Sequence, residues 1–128
     1  MIMNRIIFVT ACLLFSVTAS AQQTKAPIEK EKWHWGDPNK QDTAAGYAQA
    51  LKVGEVLYIS GTVSLTIDEA GIKRLYSNLE RSLKQYGLTF QHVVKENLYT
   101  TDIEAMKRFN YVRKQFYKGD FPAATWVQ

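Results

Sequence analysis

The chain has 128 residues, room for one domain and not comfortably two. Its 46% hydrophobic and 22% charged content sits in the ordinary globular range, which excludes a disordered or fibrous polypeptide. The formal charge of +4, with a pI near 9.2, comes from basic residues scattered among acids, the pattern of a solvated surface and not of a nucleic-acid footprint.

The first 21 residues are expected to be a secretory signal peptide. Arg5 precedes an apolar run, residues 6–17, interrupted only by Thr10 and Ser16, and Ala19-Ser20-Ala21 supplies the small-x-small pattern of a cleavage site. A run of about 12 residues is too short to span a bilayer, so no stable membrane anchor is expected after cleavage. Cys12, the only cysteine, would leave with the signal, so the mature chain has no disulfide, thiol nucleophile or cysteine-ligated metal. Loss of Arg5 leaves 16 − 1 = 15 Lys+Arg against 12 Asp+Glu, a formal charge of +3. The predicted destination is the periplasm or the exterior.

Residues 22–45 form the lead-in and first strand. After a polar stretch, Trp33-His34-Trp35 alternates aromatic and polar, the period of a strand with one buried face, and reads as an edge strand over the core or as an aromatic platform for a ligand. His34 and His92 are the only histidines, and no paired spacing suggests a metal. Residues 36–45, with Asp37-Pro38-Asn39, read as a loop. Residues 47–52 and 55–60 are two β-type runs joined at Val53-Gly54, a hairpin. Val56, Tyr58 and Ser60 share one face, and Leu57 and Ile59 the other. Apolar residues on both faces predict helices covering one side and another subunit or sheet covering the other.

Gly61 ends the second run, and residues 64–70 lead into a helix whose stripe is Ile72, Leu75, Tyr76, Leu79, Leu83 and Tyr86, ended by Gly87. Residues 93–100 form the next strand, with Val93, Val94, Leu98 and Tyr99 as its apolar or aromatic members. Asp102 then caps a helix carrying Ile103, Met106, Phe109, Val112 and Phe116 at spacings of three and four, closed by Gly119. Pro122 sets an extended entry to residues 123–127, short and β-compatible. Strand, helix and strand in about 35 residues make one right-handed crossover with parallel strands. The fold class is α+β: a mixed sheet with two helices on one face.

The runs GYAQALKVGEVLYISGTVS and NLYTTDIEAMKRFNYVRKQFY…DFPAATWV resemble the first hairpin and the second half of the Rid/YjgF family, the reactive-intermediate deaminases. The resemblance covers residues 46–128. It implies a chorismate-mutase-like sandwich, a homotrimer, ligand clefts between neighbouring subunits and no cofactor. It also implies a C-terminal strand beyond Gln128, carrying a glutamate that orients a hydrolytic water, so the sequence reads as truncated at that end.

By that resemblance, Tyr47, Ser60, Gly61 and Asn110 line the ligand cleft. The family's Pro-x-Arg motif, whose arginine grips the carboxylate of a 2-imino or 2-enamino acid, reads Pro122-Ala123-Ala124 here. Guanidinium offers two parallel donors matched to a carboxylate, and the methyl of Ala124 offers none. Trp126 falls where many members have a small residue or cysteine, which narrows the cleft. Arg113 and Lys114 are the helix cations available to replace the charge, though their direction is not legible. Each retained residue also has a structural reading: Ser60 as a turn residue, Asn110 as a backbone cap, Tyr47 as core. The resulting expectation is an exported small-molecule binder with weak or lost 2-imino/enamino-acid deaminase activity, the alternative being an active imine deaminase releasing 2-keto acids and ammonia. No catalytic residue is assigned, and nucleic acid is not expected as a partner.

Overall fold

The computed structural model describes residues 25–128, so the expected signal peptide, residues 1–21, lies outside the described residues. Five strands and three helices follow in the order β1 (Glu31–Trp33), β2 (Ala50–Val53), β3 (Val56–Ile59), α1 (Glu69–Lys84), β4 (Lys95–Tyr99), α2 (Ile103–Arg108), α3 (Asn110–Tyr117) and β5 (Ala123–Val127).

The hairpin turns on Gly54-Glu55, one residue later than expected, because Val53 pairs with Val56 and Gly54 takes the positive φ of 57° that such a tight turn needs. β1 adds antiparallel to β2 and forms the edge of a three-stranded sheet. It begins two residues earlier than the aromatic alternation suggested and ends at Trp33; Trp35 lies beyond it and donates from Nε1 to Ser82 Oγ of α1 at 3.2 Å. The expected loop at 36–45 contains one wide helical turn, Asn39–Ala44, started by Asp37: its carbonyl accepts from Lys40 and Gln41, and its carboxylate accepts from Asn39.

α1 forms where the apolar stripe predicted it, except that it ends at Lys84, which leaves Tyr86 in the turn before Gly87. Asp68 caps it by accepting from the Gly71 amide at 2.6 Å, a bond that holds the Asp68 carboxyl below the usual carboxylate range. Gly71 has a packing reason: a Cβ there would collide with the Thr66 carbonyl and the Ser64 hydroxyl, so the loop can fold against the helix only over a bare backbone. Glu69 lies in the first turn and Arg81 and Lys84 in the last, matching the helix dipole.

The crossover exists as predicted, with β4 and β5 parallel and paired from Lys95↔Ala123 to Tyr99↔Val127. Its helix is broken at Phe109 (φ −98°, ψ 11°) into α2 and α3. Ile103, Met106, Phe109 and Val112 step by threes, and such residues stay on one face only where the helix tightens to three residues per turn. The Val112 amide accordingly bonds the Phe109 carbonyl, three residues back. Lys118, at φ 51°, begins the left-handed exit that Gly119 completes. β4 starts at Lys95, two residues later than expected, and Val94 is exposed.

The single mixed sheet expected is two hydrogen-bonded sheets, β1-β2-β3 and β4-β5. β3 ends where Ser60 bonds back to its own hairpin, and β4 gives its ladder to β5. The helices bury the inward face of β4. Leu98 joins Ile72, Tyr76, Leu83, Phe90, Met106, Val112 and Tyr117 in the core, while Ile59 and Trp126 pack against it. The opposite faces are open: Val56, Tyr58, Tyr99 and Val127 are exposed.

Candidate functional site

Tyr47 precedes β2 instead of opening it. The residue is 46% exposed, which excludes the core reading, and its amide bonds the Gln41 carbonyl at 3.1 Å. Ser60 is held within its own hairpin, its hydroxyl donating to the Ala48 carbonyl at 2.6 Å and its amide to the Gln49 carbonyl at 2.8 Å. Gln49, almost fully buried, donates to the Ser60 carbonyl at 3.0 Å, so the three residues lock the mouth of the hairpin. Gly61 follows with open space where its side chain would be.

Asn110 opens α3, but its side chain makes no capping bond, and its Oδ1 is buried without a hydrogen-bond partner. An unpaired buried acceptor is costly in a folded chain, which makes Asn110 the one candidate with unspent hydrogen-bonding capacity facing inward. Ala124 and Trp126 stand on β5, opposite Glu96 and Leu98 of β4 respectively. Paired residues in a sheet project to the same face, so Ala124 and Trp126 share the helix-facing side with Glu96, while Lys95 and Thr125 bond each other on the open side at 2.7 Å.

Glu96, Arg113 and Tyr76 form a cluster that was not read as a unit from sequence. Arg113 Nε and one terminal nitrogen donate to Glu96 Oε2 at 2.8 and 2.5 Å, and the Tyr76 hydroxyl donates to Oε1. The Arg113 and Glu96 side chains are only 7% and 10% exposed. The guanidinium lies over the Tyr117 ring at 4.7 Å and the Trp126 ring at 5.8 Å. Burial opposes its charge, but the Glu96 carboxylate outweighs that and raises the guanidinium further above its ordinary range. Burial first, and then the Glu96 charge, raises the Tyr76 and Tyr117 hydroxyls as well, which keeps both protonated. Arg113 therefore does point inward, but it is already paired, and Lys114 is exposed. A signal for the cluster was available: Glu96 lies two residues before Leu98, so a strand that buries Leu98 also buries Glu96.

The candidates thus fall into three places: Tyr47, Ser60 and Gly61 beside the first sheet, Ala124 and Trp126 on the second, and Asn110 at the start of α3. Among the described residues no hydrogen bond joins the first group to the second. Two shallow, open concavities, of about 460 and 420 Å³, lie on the solvent side of α1 around Ser77 and Arg81 or Arg74, away from every candidate. No cluster of three or more His, Cys, Asp or Glu suited to a metal occurs among the described residues. His92 is a cap, its Nδ1 accepting the Thr89 amide at 3.1 Å.

Residues 38–128 match the family model described as Endoribonuclease L-PSP. A RutC family protein of Saccharolobus solfataricus is 30% identical over 92 residues, which cover 64% of this chain and 72% of that protein. A human protein named 2-iminobutanoate/2-iminopropanoate deaminase is 31% identical over 91 residues, covering 64% of this chain and 66% of the human one. The crystal structure of a YjgF/YER057c/UK114 family member from Mycobacterium tuberculosis superposes with a TM-score of 0.66 at 24% identity, over 78% of this chain and 83% of that one, and shares the chorismate-mutase-like α+β fold. With the family model matched from β2 to β5 and across all three helices, the chain belongs to the Endoribonuclease L-PSP family, the Rid/YjgF proteins.

Proposed function

We propose that this chain is an exported Rid-family protein that binds small metabolites in clefts formed between copies, with 2-imino-acid deaminase activity weak or lost. One observation carries the reading: Ala124 offers only a methyl group, and Arg113, the inward cation on that face, is neutralised by Glu96, the ladder partner of Ala124. A substrate carboxylate therefore meets neither a cation at position 124 nor an unpaired Arg113. The open sheet faces, with Val56, Tyr58, Tyr99 and Val127 exposed, support self-association, expected as a trimer. The placement of the candidates in separate groups fits a site completed by a neighbouring copy. Export rests on the cleavage pattern ending at Ala21.

The reading is tested on one preparation recovered from the extracytoplasmic fraction of the source cell. Its N-terminal residue is expected to be Gln22, and sedimentation velocity is expected to show trimers. Its ammonia release from 2-iminobutanoate should fall on the order of 100-fold below that of an arginine-bearing relative, the scale of two lost charge-assisted hydrogen bonds. Comparable ammonia release would refute the loss of activity. A second reading, an active imine deaminase, is favoured by the human relative of that name and would then stand.

A further inference from the structure

The Arg113–Glu96 contact has the chemistry of a receptor and its ligand. A planar guanidinium donates through two nitrogens to a carboxylate, two aromatic rings flank it, and the carboxylate's second oxygen accepts from a buried tyrosine. This is how proteins hold a small carboxylic acid. Here the acid is part of the chain, delivered from β4 by a residue 17 positions away from the arginine. Its neighbour in the ladder is Ala124, opposite Glu96 and exposed, which adds no cation and little bulk. Nothing in the chain's general architecture requires the pair, since Leu98 and Trp126, two residues further along the same strands, fill the same layer with apolar groups.

We propose that Arg113 is a carboxylate-binding site occupied by the chain's own Glu96, and that Glu96 thereby determines specificity by keeping external acids off this face. The inference rests on the proposed loss of carboxylate capture and deepens it: the layer retains a guanidinium able to bind an acid, and an internal acid holds it. Removing the Glu96 side chain beyond Cβ leaves a space shaped for acetate beside an unpaired Arg113.

The test is chemical rescue of the full-length chain, with acetate as the probe and chloride at equal ionic strength as the reference. In Glu96→Ala, acetate at about tenfold excess over its dissociation constant is expected to raise the melting temperature by about 5 °C. If that variant is unfolded in chloride, recovery of native near-ultraviolet circular dichroism on adding acetate is the same result. The wild type and Glu96→Ala/Arg113→Met are expected not to respond. Failure of acetate to stabilise or refold Glu96→Ala overturns the proposal. So does an equal response in the double variant, or a wild-type response that Arg113→Met abolishes, because Arg113 would then already serve external acids. None of these readouts uses ammonia release, so a wild type that deaminates efficiently would refute the proposed function and leave this result to be read separately.

Discussion

Replacing Arg113 with methionine while Glu96 remains costs about 3–5 kcal/mol of stability, the usual consequence of stranding one partner of a buried ion pair. Glu96 accepts both nitrogens of Arg113 on one oxygen and the Tyr76 hydroxyl on the other, with the pair about nine-tenths buried. Without the guanidinium, the carboxylate keeps one neutral donor and no counter-charge. The methionine fills much of the volume and can touch the Tyr117 and Trp126 rings, so packing loss alone is a small part of the effect. Arg113→Met/Glu96→Gln is therefore expected to recover most of the loss: the glutamine still accepts from Tyr76, and no ion is left buried. Urea denaturation checks both, with the midpoint falling in the single variant and returning in the double at an unchanged slope. A single variant that loses less than about 1 kcal/mol would mean that the pair behaves as an exposed one.

Phe90→Ala is expected to cost a similar amount, about 3–5 kcal/mol, for a different reason. Phe90 is 4% exposed and sits in a single tight turn, Phe90–His92, that joins α1 to β4. Its ring centroid lies 5.9 Å from Tyr76, 5.4 Å from Phe116 and 5.0 Å from Tyr117. Those rings belong to α1 and α3, so Phe90 is the plug between the two long helices. Truncation removes its transfer free energy and leaves a cavity that neighbours on two rigid helices cannot close. Phe90→Leu keeps most of the volume and should cost less than about 1.5 kcal/mol. Thermal and urea unfolding distinguish these outcomes. An alanine variant within about 1 kcal/mol of wild type would show that the helices collapse onto the gap.

Both predictions concern residues whose roles differ in legibility. Phe90 is not in any periodic stripe, since it precedes the strand and follows Gly87, and its burial comes from the turn that swings it under α1. Tyr76 is legible as a core residue by its spacing on α1, but that its hydroxyl would meet a carboxylate is not. Of the cleft residues named by resemblance, Ser60 proves to be a hairpin lock and Tyr47 an exposed ring, while Asn110 is left with an unpartnered buried oxygen. Their grouping into separate parts of one chain is a matter of how the two sheets lie, which no local pattern records.

The order of the elements was determined by the sequence alone: the hairpin around Gly54, the capped and striped α1, and the parallel crossover from β4 to β5. Each rests on interactions within a few residues, such as a turn glycine, a capping aspartate or an apolar repeat, so neighbouring letters carry them. Position 124 was likewise readable, because the absence of a cation there needs no structure. Only the tertiary structure decided that the expected sheet divides in two, that the crossover helix breaks at Phe109, and that Arg113 turns inward onto Glu96. A charged residue looks the same in sequence whether it faces water or a buried partner. That choice depends on desolvation offset by a counter-charge brought from another element, and only the folded chain supplies it.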